Sequence, residues 1–144
     1  MTVAITLARK AAAAALAASA MLASAAAADL QVEVRGLAGE TGTVNVGLFD
    51  RAASFPKQTV AGERVPAATK PAVVVFRNLA PGEYAVSAFH DANSNGTLDK
   101  NLLGMPTEKY GFSRDAAGNM GPPSFDAAKI TFGTENQTIV INLR

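Results

Sequence analysis

Residues 76–91 read FRNLAPGEYAVSAFHD and predict two β-strands separated by a turn. In the second half, Tyr84, Val86 and Ala88 share one face of an alternating pattern, as in a strand that buries one side. Before it, Pro81 and Gly82 are typical of a type II turn, because proline suits the second turn position and glycine accepts the positive φ of the third. The stretch therefore indicates an all-β domain.

The same pattern continues on both sides of this stretch. Further strands are predicted at residues 30–35, 43–49, 73–76, 128–132 and 138–143. A hairpin turn is predicted at residues 39–42, and the polar residues 52–70 are predicted to form a loop whose Phe55 packs back onto the strands. Six or seven short strands with turn signals between them indicate a two-sheet β-sandwich.

Residues 100–127 form a long stretch without a strand or helix period and are rich in glycine and proline. Disordered segments are poor in large apolar and aromatic residues, yet this one contains several. They are Leu102, Leu103, Met105, Tyr110, Phe112 and Phe125. We therefore expect one long ordered loop that folds over an end or an edge of the sheet.

Residues 1–28 have the features of a secretory signal peptide. Arg9 and Lys10 precede an apolar, alanine-rich run, and the alanines at 26–28 predict cleavage before Asp29. The run is too short for a comfortable membrane span, although an uncleaved helical anchor is the alternative. We expect a periplasmic or secreted protein with no membrane span in its mature form and a single domain at residues 29–144.

The charge balance depends on this cleavage. The full chain has 13 Lys+Arg and 12 Asp+Glu, and losing Arg9 and Lys10 leaves 11 basic and 12 acidic residues, a net charge of −1. A nearly neutral domain gives no electrostatic reason to expect nucleic acid or an anionic membrane as a partner. The absence of cysteine excludes disulfides, thiol catalysis and thiolate metal sites.

Several motifs agree in order and spacing with a known family. They are residues 76–99, Gly104-Met105-Pro106, Tyr110-Gly111-Phe112-Ser113 and Gly121-Pro122-Pro123-Ser124-Phe125. On these motifs the chain resembles the family called domain of unknown function 2141 over nearly all of residues 29–144. The resemblance implies a secreted or periplasmic bacterial β-sandwich and leaves the role open.

The turn at residues 79–84 also resembles transthyretin-like and collagen-binding-protein-B-like modules. That likeness implies an immunoglobulin-like or prealbumin-like antiparallel sandwich. Such modules usually serve as stalks, spacers or accessory domains, and a likeness of fold does not fix a function.

Residues 91–99 have the spacing of a calcium-binding loop. Asp91, Asn93 and Asn95 provide oxygens at positions 1, 3 and 5, and a glycine follows at position 6. Thr97 would offer its backbone carbonyl, and Asp99 an oxygen at position 9. The sequence therefore predicts calcium as a possible cofactor at this loop.

The predicted calcium loop lacks one ligand. Helical calcium loops place a bidentate glutamate at position 12, where this chain has Leu102. Asp99, Asn101 or an acid from elsewhere could replace it, the candidate acids being Glu108, Asp115 and Asp126. With two certain carboxylates, the expected Kd is on the order of 10⁻⁴–10⁻³ M. The alternative is a metal-free turn, since Asp and Asn side chains also close loops by bonding their own backbone.

Catalytic signals are weak. His90, the only histidine, has no histidine or cysteine partner for a transition metal and is expected to bond a neighbouring loop. Ser113 or Ser124 could join it in a serine triad, but no G-x-S-x-G elbow is present. A pair of acids for a glycosidase cannot be recognised from composition. We expect no enzyme, and a hydrolase is the least favoured reading.

The aromatic residues of the long loop are the second candidate site. Tyr110, Phe112 and Phe125 are expected either to pack in the core or, if exposed, to bind a ligand. In the second case the domain would be a module that recognises a cell-envelope protein or glycan. The first hypothesis is a non-enzymatic exported β-sandwich whose loop at 91–99 is ordered by calcium.

Overall fold

The computed structural model describes residues 26–144. The predicted signal peptide lies outside the described residues except for residues 26–28. The described strands are β1 (Ala28–Arg35), β2 (Thr43–Phe49), β3 (Ala61–Pro66), β4 (Ala72–Leu79), β5 (Gly82–Asp91), β6 (Tyr110–Phe112), β7 (Ile130–Phe132) and β8 (Gln137–Asn142). A 3₁₀ turn at Ser113–Asp115 and the short helix α1 (Phe125–Ala128) complete the elements.

The strands form two sheets. One has the order β4-β1-β8, and the other has the order β3-β2-β5-β6, with β7 pairing with a further part of β5. The core between them contains the alternating residues of β1 and β2. Leu30, Val32, Val44 and Leu48 have no exposed surface. The predicted mostly-β, two-sheet architecture is confirmed.

Two details differ from the sequence prediction, the number of strands and the direction of one pair. The described residues contain eight strands, because β3 lies within the predicted loop 52–70 and β6 within the predicted loop 100–127. The sandwich is not wholly antiparallel, since β1 and β8 pair in parallel. Periodicity reports which side chains share a face, and it carries no information on the direction of the partner strand. The predicted packing of Phe55 is confirmed by its edge-to-face contact with Phe49.

The two predicted turns join the expected strands, but the strands that each one joins lie in different sheets. The residues 36–42 lead from β1 in one sheet to β2 in the other, so they form no hairpin. The turn at Pro81 likewise passes from β4 to β5 between sheets. Positive φ occurs there at Asn78 (55°), whereas Gly82 is not among the residues with positive φ, so the type II prediction was wrong. The Tyr84 hydroxyl donates to the Ala80 carbonyl at 2.8 Å and fixes this crossing.

The long segment 100–127 folds onto an edge of the larger sheet, as predicted. Its strand β6 pairs with β5. A second apolar cluster lies beside it and contains Phe49, Phe55, Ala85, Tyr110, Phe112, Ala116, Phe125 and Ala128. Within residues 26–144, no helix has the length and apolar character needed to cross a membrane.

Candidate functional site

Asp91 is the last residue of strand β5 and lies at the end of the larger sheet. This carboxylate is 1% exposed, and it accepts three hydrogen bonds. The Asn95 amide donates to Oδ1 at 3.0 Å, and the Gly96 amide donates to Oδ2 at 2.7 Å. The side chain of Asn45, from β2, donates to Oδ2 at 3.1 Å. Asp91 therefore anchors the start of the loop to both the turn and the neighbouring strand.

Two of the other predicted ligands, Asn93 and Asn95, contact Asp99. The side-chain amides of Asn93 and Asn95 donate to its two carboxylate oxygens, each at 2.7 Å. Asn95 Oδ1 in turn accepts from the Thr97 amide at 3.0 Å and the Thr97 hydroxyl at 3.2 Å. Gly96 has φ of +81°, which meets the predicted need for glycine at the sharp turn. The predicted residues thus form one connected polar cluster.

The donor set fits calcium. All five predicted residues offer oxygens, from two carboxylates, two amides and one backbone carbonyl, and calcium takes oxygen ligands. The side chains of Asn93 and Asn95 direct their nitrogens at Asp99. Their oxygens accept amides of the same turn, so an asparagine ligand would exchange those bonds for the cation. No group of three histidine, cysteine or carboxylate side chains in residues 26–144 is placed to hold a metal. A cation here would therefore depend on amide and backbone oxygens.

Glu108 closes the loop from the other side. Its Oε1 accepts from the Ala92 amide and its Oε2 from the Asp99 amide, both at 3.0 Å. The Thr107 amide also donates to the Asp99 carbonyl at 2.8 Å. One carboxylate therefore ties together both ends of the loop and the chain that returns to β6.

The structure distinguishes the candidates for the missing ligand. Asn101 bonds the amides of its own turn, Asp115 accepts from Asn142, and Asp126 pairs with Lys129. Among the candidate acids, Glu108 alone forms hydrogen bonds with the loop.

Sequence reasoning did not single out Glu108, because this residue comes nine residues after Asp99 through a turn of irregular pattern. Asn45 was missed because it occupies a polar position of an alternating strand.

His90 has a structural role, as expected. The ring is 2% exposed. Its Nδ1 accepts from the Ala38 amide at 3.1 Å, and its Nε2 lies 2.7 Å from the Thr41 carbonyl, to which it donates in the matching tautomer. The histidine therefore holds the β1–β2 connection against the start of the loop.

The serine hydroxyls considered with His90 have other partners. Ser113 is fully buried, and its Oγ accepts from the Val86 amide at 2.9 Å and donates to the Ala128 carbonyl at 2.6 Å. Ser124 caps α1 by accepting from the Ala127 amide. Both hydroxyls thus fix local backbone around the second apolar cluster.

The three aromatic candidates differ in their exposure. Phe112 and Phe125 are each 8% exposed and contact Phe55 edge to face, at centroid distances of 5.7 and 6.0 Å. Tyr110 is half-buried and lines a concavity of about 160 Å³ with Asp115 and Arg144 among its walls. The aromatic surface that this trio offers to a ligand is therefore mainly that of Tyr110.

A two-sheet β-domain with an asparagine-rich loop at the end of a central strand is the class that this fold and this site define. The family model described as "Uncharacterized protein conserved in bacteria (DUF2141)" matches residues 32–140. The chain belongs to this family. No curated protein and no solved structure matches it.

Proposed function

We propose that this protein is an exported, non-enzymatic β-sandwich domain whose loop at residues 91–99 binds calcium. The hydrogen bonds that join residues 91, 93, 95 and 99 in one small cluster carry the proposal. The side-chain amides of Asn93 and Asn95 donate to the Asp99 carboxylate at 2.7 Å. The Asp91 carboxylate accepts from the Gly96 amide of the same turn. The metal-free turn is the alternative, because Asp91, Asn93 and Asn95 also accept hydrogen bonds from amides of their own turn. A calcium titration separates the two.

The ion would act on folding. Asp91 and Asp99 have no ion-pair partner among the pairs formed within residues 26–144, so a cation would neutralise two charges that share one small loop. It would also fix the exit of β5 against the returning chain at Thr107 and Glu108. With no disulfide available, such a clamp stabilises the end of a sandwich that otherwise relies on its core.

A thermal melt after removal of metal tests the proposal. Protein is stripped with a chelator, and the melting temperature is followed during titration with calcium and, separately, magnesium. Saturation at about ten to a hundred times Kd adds ~1–3 kcal/mol to the free energy of unfolding, since only the native state binds. Asp99→Asn abolishes the response, and Asp126→Asn, an exposed acid bound to Lys129, retains it. An unchanged melting temperature at calcium concentrations up to about 100 mM, about a hundred times the weakest expected Kd, overturns the proposal.

A second candidate is a module that binds a cell-envelope protein or glycan through segment 100–127. The concavity beside Tyr110 favours it, because an aromatic ring, Asp115 and Arg144 meet there. The variant Tyr110→Ala would then lose binding of the cell-envelope protein or glycan that the unmodified domain binds. Its calcium response would remain intact. The two candidates are compatible, since the loop and the concavity use different side chains.

We also propose the finer class and the location of the domain. The inter-sheet crossing closed by the Tyr84–Ala80 hydrogen bond supports an immunoglobulin-like or prealbumin-like sandwich, because a tyrosine in this role is a feature of such Greek-key folds. The composition of residues 1–28 supports a periplasmic or secreted location. An N-terminus at Asp29 in protein purified from the periplasm or medium would support export, and an intact Met1 would contradict it.

A further inference from the structure

The turn at residues 101–105, here named the apolar tip, exposes large hydrophobic side chains. Leu102 is 106% exposed relative to its reference, Leu103 is 87% exposed and Met105 is 56% exposed. Single apolar residues on a surface are ordinary, but three within four positions form a patch that water solvates poorly. Such a patch is a candidate surface for contact with an apolar phase or partner.

The apolar tip is an ordered turn whose backbone satisfies itself. Asn101 Oδ1 accepts from the amides of Leu103 and Met105, at 2.9 and 3.0 Å. The Asn101 amide donates to the Met105 carbonyl, and the Gly104 amide donates to the Asn101 carbonyl. The residues that flank the turn, Lys100 and Pro106, form an isolated antiparallel β-bridge. Four amides are thus already bonded, so an apolar phase could receive the tip without stripping water from them.

The acidic and basic side chains near the apolar tip differ in their exposure to solvent. Asp91 is buried, Asp99 and Glu108 are half-buried, and all three accept hydrogen bonds from amides of the loop. Lys100 and Lys109 are exposed and belong to no ion pair formed within residues 26–144. The near-zero net charge gave no reason to expect an anionic membrane, but it averages over the domain and conceals a local arrangement of apolar side chains beside free ammonium groups.

We propose that the apolar tip docks onto an anionic phospholipid bilayer, with Leu102 and Leu103 at the acyl boundary and Lys100 among the headgroups. A protruding turn suits a bilayer, which needs no complementary pocket, whereas a protein partner must supply one. Lysines near the surface add attraction to anionic lipid. Lys109 lies further along the returning chain and contributes less than Lys100.

Vesicle co-sedimentation tests this docking in the presence of chelator, so that calcium plays no part. The full protein is mixed with vesicles of phosphatidylglycerol and phosphatidylcholine, or of phosphatidylcholine alone. Wild type binds the anionic vesicles. The double variant Leu102→Ser/Leu103→Ser lowers the partition coefficient by about tenfold or more, because two leucine side chains lose their burial. Lys100→Gln lowers it by roughly fivefold on anionic vesicles only.

Val60→Ser is the matched control. Val60 is 50% exposed and lies at the end of β2 that is remote from Asp91, so its loss leaves binding unchanged. All these side chains are exposed, and circular dichroism is expected to show folded variants. The proposal is overturned if wild type ignores anionic vesicles, or if the double variant binds them as wild type does. Self-association that needs the tip, without vesicle binding, would identify a second copy as the occupant and equally overturn it.

Discussion

Two consecutive regions follow β5, and they are held by different forces. Residues 91–109 are fixed by hydrogen bonds to three carboxylates, at Asp91, Asp99 and Glu108. Residues 110–128 are fixed by aromatic packing around Phe55 and by one buried hydroxyl, at Ser113. Both lack strand alternation in the sequence, so the contrast appears only when the partners of each side chain are known.

The difference bears on how each region responds to its surroundings. A net hydrogen bond contributes ~1 kcal/mol, and its carboxylate acceptors carry charge that a cation can bind. Buried aromatic rings contribute more and are indifferent to ions. We therefore expect the first region to depend on calcium and the second to provide the permanent attachment of the segment to the sheet.

Truncation of the aromatic cluster should have the largest effect. Phe112→Ala removes a ring that contacts both Phe55 and Tyr110, and it should lower the free energy of unfolding by ~3–5 kcal/mol. Urea denaturation measures the loss, which should be equal in calcium and in chelator. Met120→Ala, in the same segment but 98% exposed, should change stability by less than ~0.5 kcal/mol. A calcium-dependent loss for Phe112→Ala would break the contrast between the regions.

Asp91→Asn should have an intermediate effect that differs between the two conditions. The new amide nitrogen would face backbone and side-chain donors, so the variant should lose ~2 kcal/mol of stability in chelator. The loss should be larger in calcium, because the ligand charge is also removed. Asp50→Asn, a surface acid paired with Arg51, is the matched control and should change little in either condition. Equal losses with and without calcium would argue against Asp91 as a ligand.

Local patterns predicted what depends on local geometry. Alternation in β1 and β2 identified the buried face, including Val32 and Val46, because side-chain direction follows from the backbone period. The spacing of Asn93, Asn95 and Asp99 placed all three in one short loop, where both side-chain amides contact the Asp99 carboxylate. Each of these features is encoded within a few residues of chain.

Features that join distant segments were not predictable in this way. The strand β2 pairs with β5 and not with β1, its neighbour in sequence. Glycines at 36 and 42 have positive φ and let the chain cross between sheets, although the same residues are typical of hairpins. Asn45 and Glu108 join the site from other segments, and neither carries a spacing signal that links it to residues 91–99.

Glu108→Gln should have the smallest effect and defines the boundary of the calcium site. Both carboxylate oxygens accept backbone amides, at Ala92 and Asp99, and a glutamine keeps one of these bonds and loses the other. We expect a loss of ~1 kcal/mol in the free energy of unfolding, equal in calcium and in chelator, because Glu108 positions the loop and does not bind the ion. Urea denaturation in both buffers measures it, with the exposed Glu135→Gln as the matched control. A loss confined to calcium would instead make Glu108 the replacement for the ligand that is missing at Leu102.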